Sequence, residues 1–251
     1  MKIQIFGSSS AGNCIRVFND ECPGVYLDAG VNPSVLMATG APLANMPFFI
    51  THEHGDHAKY AVDLYTRFGA RLFASRETMM AISLADKSPQ SAMYAFCVMP
   101  VIGFVTPHSN CFVWSIPVIH YPAFDPVCFI VEINGEKLLY LVDCGQLPDQ
   151  DLISKCDYYF IEANYTPMAL ARNDKQWSGI KERVSSGFGH LSVLDAYEFL
   201  KPRMSHARRI FFGHISQNNF DMQEYEQLIP ADFRECVTLA EAGMLIDTDP
   251  F

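Results

Sequence analysis

The sequence predicts an α/β fold in which β-sheets pack face to face and helices cover their outer faces. Two observations support this fold class: strand-like segments fill two parts of the chain, and helical patterns accompany the strands in each part. Size is a third observation, because 251 residues, of which 49% are hydrophobic, can bury a sizeable core. We expect a single domain that spans residues 1–251.

The first part of the chain is predicted to form short strands separated by glycine-containing turns. A helix is predicted to follow residue 57, because apolar residues recur at helical spacing up to Phe68 and Gly69 then supplies a stop signal. A second helix is predicted over residues 76–85, whereas residues 88–107 fit neither pattern. The predicted strands are residues 2–6, 13–18, 24–28, 47–51 and 71–74.

The turn at residues 7–13 is rich in glycine and serine and has two interpretations. It could expose backbone N–H groups to a phosphate, or it could be a plain hairpin connection. Asn13 at its end is a candidate for positioning substrate, as are Asn218 and Asn219.

The second part of the chain is again rich in predicted strands, and Asn134-Gly135 marks a hairpin between two of them. Helices are predicted over residues 192–200 and 222–228. The predicted strands are residues 111–119, 127–133, 137–142, 158–161, 208–212, 237–239 and 244–246.

Composition restricts the classes of function. The net charge of −10 argues against a general nucleic-acid-binding surface, although bound divalent ions would add positive charge to a nuclease cleft. The eight cysteines are scattered without a CxxC pair, which is typical of reduced core thiols. No apolar run approaches membrane-spanning length. We therefore expect a cytoplasmic protein without a membrane partner.

A dense group of metal-binding side chains follows the predicted strand 47–51. It contains His52, His54, Asp56 and His57, and imidazole with carboxylate suits zinc, manganese or iron. Residues two apart in an extended loop point the same way, so His52 and His54 can bind one ion while Asp56 and His57, past Gly55, turn toward another. A solvated polar loop is the alternative interpretation.

This His-x-His-x-Asp-His motif resembles that of the metallo-β-lactamase superfamily, and the resemblance extends through most of the chain. It implies an αββα sandwich of two mixed β-sheets with helices on the outer faces. It also implies further ligands at three later strand ends, where His120, Asp143 and His214 each follow a predicted strand. By this resemblance one ion is held by His52, His54 and His120, the other by Asp56, His57 and His214, and Asp143 bridges them.

The segments around the later ligands resemble the nucleolytic branch of the superfamily. Residues 120–124, 161–165 and 189–192 resemble elements of tRNase Z, whereas residues 7–13 and 214–219 are similar to WalJ/YycJ-like proteins. The comparison with WalJ/YycJ-like proteins covers more of the chain. One departure is Asp143-Cys144-Gly145, where Asp-Thr-Gly is usual in the family.

The resemblance implies a nuclease or other phosphodiesterase that uses two divalent transition-metal ions, zinc or manganese before iron. A hydroxide shared by the ions would attack, and His190, oriented by Glu162, would protonate the leaving group. Asp56 counts among the catalytic residues as well as the ligands. The substrate would be nucleic acid or another phosphodiester. Helix capping near Ser192 is the alternative for His190, and a solvent-facing strand end is the alternative for Glu162.

Two other functions stay open. The scaffold could serve an ester, thioester or lactone hydrolase, although such substrates need little help for the leaving group. It could also belong to a non-catalytic metal-binding or regulatory protein, which the complete ligand set disfavours. His108 and His206 have no comparable sequence context and are expected to be surface or packing residues.

Overall fold

The structure is a computed structural model that describes residues 1–85, 96–148, 153, 155–173, 184 and 187–248. The strands of these residues form two seven-stranded sheets, which confirms the predicted two-sheet architecture. Each sheet is mixed, because antiparallel pairs lie toward one edge and parallel pairs toward the other.

The first sheet has the order β14-β1-β2-β3-β4-β5-β6. Neighbours from β14 to β3 pair antiparallel, and those from β3 to β6 pair parallel. Its strands are β1 (Lys2–Ser9), β2 (Gly12–Phe18), β3 (Val25–Leu27), β4 (Pro47–Phe49), β5 (Arg71–Ala74), β6 (Phe96–Val98) and β14 (Leu245–Asp247).

The second sheet has the order β13-β12-β11-β10-β9-β8-β7. The strands β7 to β9 form an antiparallel meander, and β10 to β13 run parallel. Its strands are β7 (Gly103–His108), β8 (Cys111–Pro117), β9 (Val127–Ile133), β10 (Glu136–Leu141), β11 (Tyr158–Glu162), β12 (Arg209–Gly213) and β13 (Val237–Leu239).

The helices are short and have local sequence signals at their ends. Gly69 ends α3 in the left-handed conformation at φ 64°, and Ser192 and Asp195 form a capping box at the start of α6. None of the helices in the described part of the chain could cross a membrane. They are α1 (Pro33–Ala38), α2 (Gly55–Ala58), α3 (Ala61–Phe68), α4 (Arg76–Ala85), α5 (Pro167–Arg172), α6 (Val193–Leu200), α7 (Met222–Leu228) and α8 (Ala231–Glu235), with a 3₁₀ turn at Lys201–Arg203.

The chain divides into two compact units, each made of separate stretches of sequence. The first unit comprises Met1–Pro117, Ala123–Glu136 and Glu241–Phe251. Within it the first sheet packs on β9: the Phe49 ring meets the Phe129 ring edge-on at 5.8 Å between centroids. The backbone N–H of Val127 also donates to the carbonyl of Thr51 at 3.1 Å. The segment that starts the histidine run is therefore anchored to the core of this unit.

The second unit comprises Val118–Pro122 and Lys137–Ala240. Its parallel strands place Leu141, Ile161 and Phe212 side by side near their carboxyl ends. Polar side chains that follow these three strands are consequently held at the same edge of the sheet. Three buried rings, one from each of these strands, pack in a row. The ring centroids of Tyr140 and Phe160 are 5.4 Å apart, and those of Phe160 and Phe211 are 6.0 Å apart. The prediction of one domain over residues 1–251 stays a prediction.

Most predicted elements occur, and the differences lie at their ends. β1 runs on to Ser9 and β2 begins at Gly12, so residues 7–9 and 12–13 belong to a β-hairpin whose turn is Ser10 and Ala11. β3 ends at Leu27 and β4 at Phe49, earlier than predicted. Asp28 has φ 64°, which ends β3, and its carboxylate accepts a hydrogen bond from the backbone N–H of Thr51. Similarly, β8 ends at Pro117, and Ile119 instead bridges Gln146.

Four short helices were not predicted: α1, α2, α5 and α8 have six, four, six and five residues, too few to show helical periodicity. The helix predicted to follow residue 57 corresponds to α3, which begins at Ala61. In the segment 88–107, which fitted neither pattern, residues 88–95 lie outside the described residues, and the remainder contains β6 and β7.

Gly30 lies where two backbone segments of the first unit come together. Its N–H donates to the carbonyl of Asn13 at 2.9 Å, and a Cβ added to it would lie 1.7 Å from the carbonyl oxygen of Asp56. No side chain fits at that distance without moving the Asp56 backbone.

We expect Gly30→Ala to lower the free energy of unfolding by at least the ~1–3 kcal/mol typical of overpacking, because the clashing atoms belong to the backbone. Gly55→Ala is the matched control, since a Cβ there meets no described atom within 4 Å. Denaturant unfolding in the presence of a chelator measures both variants. Equal stability of the two would contradict the packing described for Gly30.

Candidate functional site

A buried carboxylate organises the histidine run in the first unit. Asp28 is completely buried, and its Oδ1 accepts hydrogen bonds from the backbone N–H and the hydroxyl of Thr51, each at 2.8 Å. Its Oδ2 lies 2.8 Å from Nδ1 of His57. A carboxylate only accepts, so the proton of a neutral His57 is on Nδ1 and the lone pair is on Nε2.

The same network orients His52. The Thr51 hydroxyl donates to Asp28, so it accepts from Nδ1 of His52 at 3.0 Å and leaves the lone pair of His52 on Nε2. That Nε2 lies 2.9 Å from Nδ1 of His54. Two nitrogen atoms this close can both reach one ion at the roughly 2.0–2.1 Å of a zinc–nitrogen bond. The pair fits a metal ion.

Asp56 and Asn13 lie next to His57. The Asp56 carboxylate is partly exposed, and its Oδ2 is 3.5 Å from Nε2 of His57. Asn13 is completely buried, and its side-chain N–H group lies 3.0 Å from the same Nε2 and 3.1 Å from the carbonyl of Ser9, to which it donates. The lone pair of His57 and the carboxylate of Asp56 therefore lie close together and could share an ion.

In the second unit, four side chains meet beyond the ends of the parallel strands. Asp143 follows β10, Glu162 ends β11, His214 follows β12, and His190 comes from the loop before α6. Asp143 Oδ1 lies 3.1 Å from Nδ1 of His190 and 3.2 Å from Nδ1 of His214. Asp143 and His214 have φ near 50°, the left-handed conformation in which a non-glycine residue is strained.

Glu162 is the most thoroughly bonded member of this group. Its Oε2 accepts from the backbone N–H groups of Cys144 at 3.0 Å and Leu191 at 3.2 Å, and its Oε1 lies 2.6 Å from Nδ1 of His190. Burial alone would raise the pKa of the carboxyl. The charge of His190 and the hydrogen bonds from His190 and His214 outweigh burial and lower the pKa of Glu162 to about 2.

His190 has the opposite shift for the same reason. Burial alone would lower the pKa of the imidazole, but the charges and hydrogen bonds of Glu162 and Asp143 outweigh it and raise the pKa to about 10. A divalent cation beside Asp143 would lower the pKa of His190 again, because it disfavours the imidazolium.

His120 faces the other oxygen of Asp143. Its Nδ1 donates to the carbonyl of Gly189 at 2.7 Å, so the lone pair is on Nε2, which lies 3.6 Å from Oδ2 of Asp143. The two carboxylate oxygens of Asp143 are thus directed at different imidazoles within this unit. Such an arrangement suits a carboxylate that bridges two cations.

The structure groups the predicted residues within each unit. His52, His54, Asp56 and His57 cluster in the first, and His120, Asp143, Glu162, His190 and His214 cluster in the second. The alternative of a solvent-facing Glu162 is wrong, because the side chain is completely buried between strands. Ser192 with Asp195, rather than His190, caps α6.

The two histidines without sequence context have packing contacts, as expected. His108 Nε2 lies 3.0 Å from the carbonyl of Gly24, and His206 Nε2 lies 3.0 Å from the hydroxyl of Tyr159.

Sequence reasoning missed Asp28 and Asn164. Asp28 was assigned to the end of a strand, yet it has φ 64° and holds Thr51 and His57. Asn164 donates from its side-chain nitrogen to the carbonyl of His214 at 2.8 Å and lies 3.1 Å from Nδ1 of that ring. A signal existed only for Asp28: an aspartate directly after a buried strand and two residues before a glycine.

Comparison with solved structures identifies the fold. The chain matches the metallo-β-lactamase fold protein YhfI from Bacillus subtilis with a TM-score of 0.69 at 14% identity, over 98% of this chain and 99% of that one. It matches zinc-bound PqqB from Methylobacterium extorquens with a TM-score of 0.75 at 16% identity, over 98% and 100%. Human tRNase Z, short form, gives 0.65 at 17% identity over the whole of both chains. The protein has the metallo-β-lactamase fold.

A relative by sequence is more specific. Exodeoxyribonuclease WalJ of Streptococcus pneumoniae, in two strains, is 26% identical over 229 residues, which are 87% of this chain and 82% of the relative. No protein-family model matches the chain. The resemblance inferred from the motifs is confirmed for the metallo-β-lactamase fold and for the similarity to WalJ.

The position of Asp28 leads to a prediction about metal affinity. Asp28→Asn replaces one acceptor oxygen by a donor, so the proton on Nδ1 of His57 is no longer fixed. We expect roughly 10–100-fold weaker zinc binding, the usual effect of changing a residue that orients a ligand. Competition with a chelator of known affinity measures the change. Asp63→Asn, on the exposed face of α3, is the control, and an equal affinity for the two variants would contradict the orienting role.

Proposed function

We propose that this protein is a metal-dependent phosphodiesterase, in particular a nuclease, with two divalent transition-metal ions. The observation that carries the proposal is the position of Asp143, whose two carboxylate oxygens face the imidazoles of His120 and His214. Its neighbour Glu162 is hydrogen-bonded to a third imidazole, that of His190. The fold, which it shares with zinc-bound PqqB, and the similarity to an exodeoxyribonuclease support it.

The proposed ligands follow the resemblance. We assign His52, His54 and His120 to one ion and Asp56, His57 and His214 to the other, with Asp143 as the bridge. Support comes from the lone pairs: hydrogen bonds fix protons on Nδ1 of His52, His57 and His120, so Nε2 of each can bind a cation. Zinc or manganese fits this donor set, with iron as an alternative.

Bound ions would supply a nucleophile at neutral pH and neutralise the phosphate charge. The remaining step is protonation of the leaving group. Glu162, 2.6 Å away, engages the proton on Nδ1 of His190, so the proton for the leaving group would come from Nε2 of the imidazolium, whose side chain is partly open to solvent. The backbone donors on Glu162 keep the carboxylate ionised and in place, so it orients the ring rather than taking the proton.

The proposed substrate is nucleic acid or a related phosphodiester. An alkoxide leaving group needs a proton donor, which explains a buried Glu162–His190 pair better than an ester, thioester or lactone substrate does. The pair likewise has no purpose in a non-catalytic metal-binding protein. We also propose a cytoplasmic setting, because six of the eight cysteines are buried as free thiols.

The number of ions follows from the bridging role of Asp143. We expect elemental analysis of the purified, active protein to give two transition-metal ions per chain. Asp143→Ala should abolish activity and lower the occupancy of both ions, because each loses a ligand. Asp63→Ala should keep both ions. A fully active protein with no more than one ion would contradict the binuclear assignment.

The role of His190 depends on how basic the leaving group is. His190→Ala should lower cleavage of a single-stranded oligonucleotide by roughly 10²–10⁴-fold, the range for losing a general acid, since an alkoxide departs poorly without a proton. Hydrolysis of bis(4-nitrophenyl) phosphate should fall much less, because nitrophenolate leaves without protonation. Glu162→Gln should show the same selectivity with a smaller loss.

The control for these measurements is His206→Ala, which removes a packing histidine of the same unit. Metal content is measured for every variant. Equal losses on the two substrates at unchanged metal content would argue against proton donation by His190. Full activity on both substrates would assign His190 a structural role.

A further inference from the structure

Two large aromatic side chains are exposed beside the histidines of the second unit. Tyr121, next to His120 in sequence, is 66% exposed, and Phe188, two residues before His190, is 51% exposed. His120 itself is 6% exposed. The apolar rings therefore lie in solvent while the polar groups beside them are mostly buried, the reverse of the usual order.

The two segments that carry these rings are fastened to each other. The N–H of Tyr121 donates to the carbonyl of Phe188 at 2.7 Å, and Nδ1 of His120 donates to the carbonyl of Gly189 at 2.7 Å. The N–H of Gly145 in turn donates to the carbonyl of Ile119 at 2.7 Å.

Gly145 also allows the close approach of the second segment. A Cβ added to it would lie 2.5 Å from the Cα and carbonyl carbon of Phe188. Backbone contacts thus hold the two segments that carry these rings next to each other and next to His120.

A ligand that binds at these exposed rings needs flat apolar faces for the rings to contact. Next to those faces it needs an anionic group that the buried polar residues can bind or cleave. Nucleobases attached to a phosphodiester have this chemistry, because every base offers a face for stacking on an aromatic ring. In a duplex those faces are already stacked, so a single strand is the form that offers them.

The net charge of the protein restricts how such a strand could be held. With a net charge of −10 the chain gains little from general attraction to a phosphate backbone. Beyond the attraction of phosphate to bound divalent ions, a nucleic acid would have to be held by interactions that do not depend on positive charge, and base stacking is the main one.

We propose that Tyr121 and Phe188 form a stacking platform for bases of single-stranded nucleic acid next to the phosphodiester that is cleaved. The inference rests on the proposed function and names its substrate class. A protein partner fits less well: a stable interface covers about 800 Å² per partner, far more than two side chains supply.

The test removes the bases from the substrate and the aromatic rings from the protein in separate steps. One substrate is a labelled single-stranded oligonucleotide, and the other is the same strand with abasic residues at the three terminal positions of each end. Each is assayed with the metal-loaded wild type, with Tyr121→Ala, with Phe188→Ala and with the double variant. Phe104→Ala is the matched control, since this ring is 57% exposed but lies on β7 in the first unit.

We expect the wild type to prefer the strand with bases by roughly 5- to 150-fold in kcat/KM, the range that corresponds to stacking of one base. The double variant should lose this preference, whereas its kcat/KM on the abasic strand should stay that of the wild type. Each single variant should lose part of the preference, and Phe104→Ala none.

Four results would overturn the proposal. The double variant could keep the preference for the strand with bases, or its kcat/KM could fall equally on both strands. Phe104→Ala could reduce the preference as much as the double variant does, or the double variant could differ from the wild type in oligomeric state. Binding of both strands is also measured by fluorescence anisotropy with a chelator present. If the wild type cleaved neither strand, the proposed function would fail. The binding data would still decide whether the rings recognise bases.

Discussion

A carboxylate can be buried only when donors surround it, and this constraint organises the candidate site in each unit. Asp28 in the first unit is satisfied by Thr51 and His57. Glu162 in the second unit is satisfied by two backbone N–H groups and by the ring of His190. In meeting its own requirement for donors, each carboxylate fixes which nitrogen of a histidine carries the proton. The protonation of the imidazoles therefore depends on two carboxylates that are not among the proposed metal ligands.

Strand ends supply the second constraint. Asp28 and His214 directly follow strands, Asp143 comes two residues after the end of β10, and all three have φ between 50° and 64°. A non-glycine residue in such a conformation costs of the order of 1–3 kcal/mol, so the surrounding bonds must hold it there. The buried strands below, with their stacked rings, provide that rigidity. The left-handed conformation turns the chain at the end of the strand and so directs the polar side chain away from the sheet at a defined angle.

The two units carry different parts of the proposed chemistry. The first contributes imidazoles whose lone pairs are directed by Asp28 and Thr51, which is what cation binding needs. The second adds a proton donor with its own buried carboxylate, which a simple metal site does not need. The exposed aromatic rings of Tyr121 and Phe188, which we propose as a stacking platform, fit a substrate with both a phosphodiester and bases. The similarity to an exodeoxyribonuclease agrees with this combination.

The sequence by itself determined the features that are local. It gave the residues of β5, α4, α7 and β13 as the structure has them, because helix and strand periods and their end signals act over a few residues. The same holds for the histidine run, whose donors lie within six residues, and for the motifs that indicated the superfamily. Elements of five or six residues, such as α8, fell below the length at which a period is visible.

Only the tertiary structure shows which partner each polar side chain contacts. His190 and His206 are both single histidines near a helix, but His190 meets Glu162 whereas His206 meets Tyr159. Asp28 reaches His57, 29 residues away, and so no local pattern reveals its function. Contacts between residues that are distant in sequence depend on strand register and on burial. Neither of these can be inferred from a short stretch of sequence. A polar side chain becomes functional when the fold removes water from it and leaves another side chain as its partner.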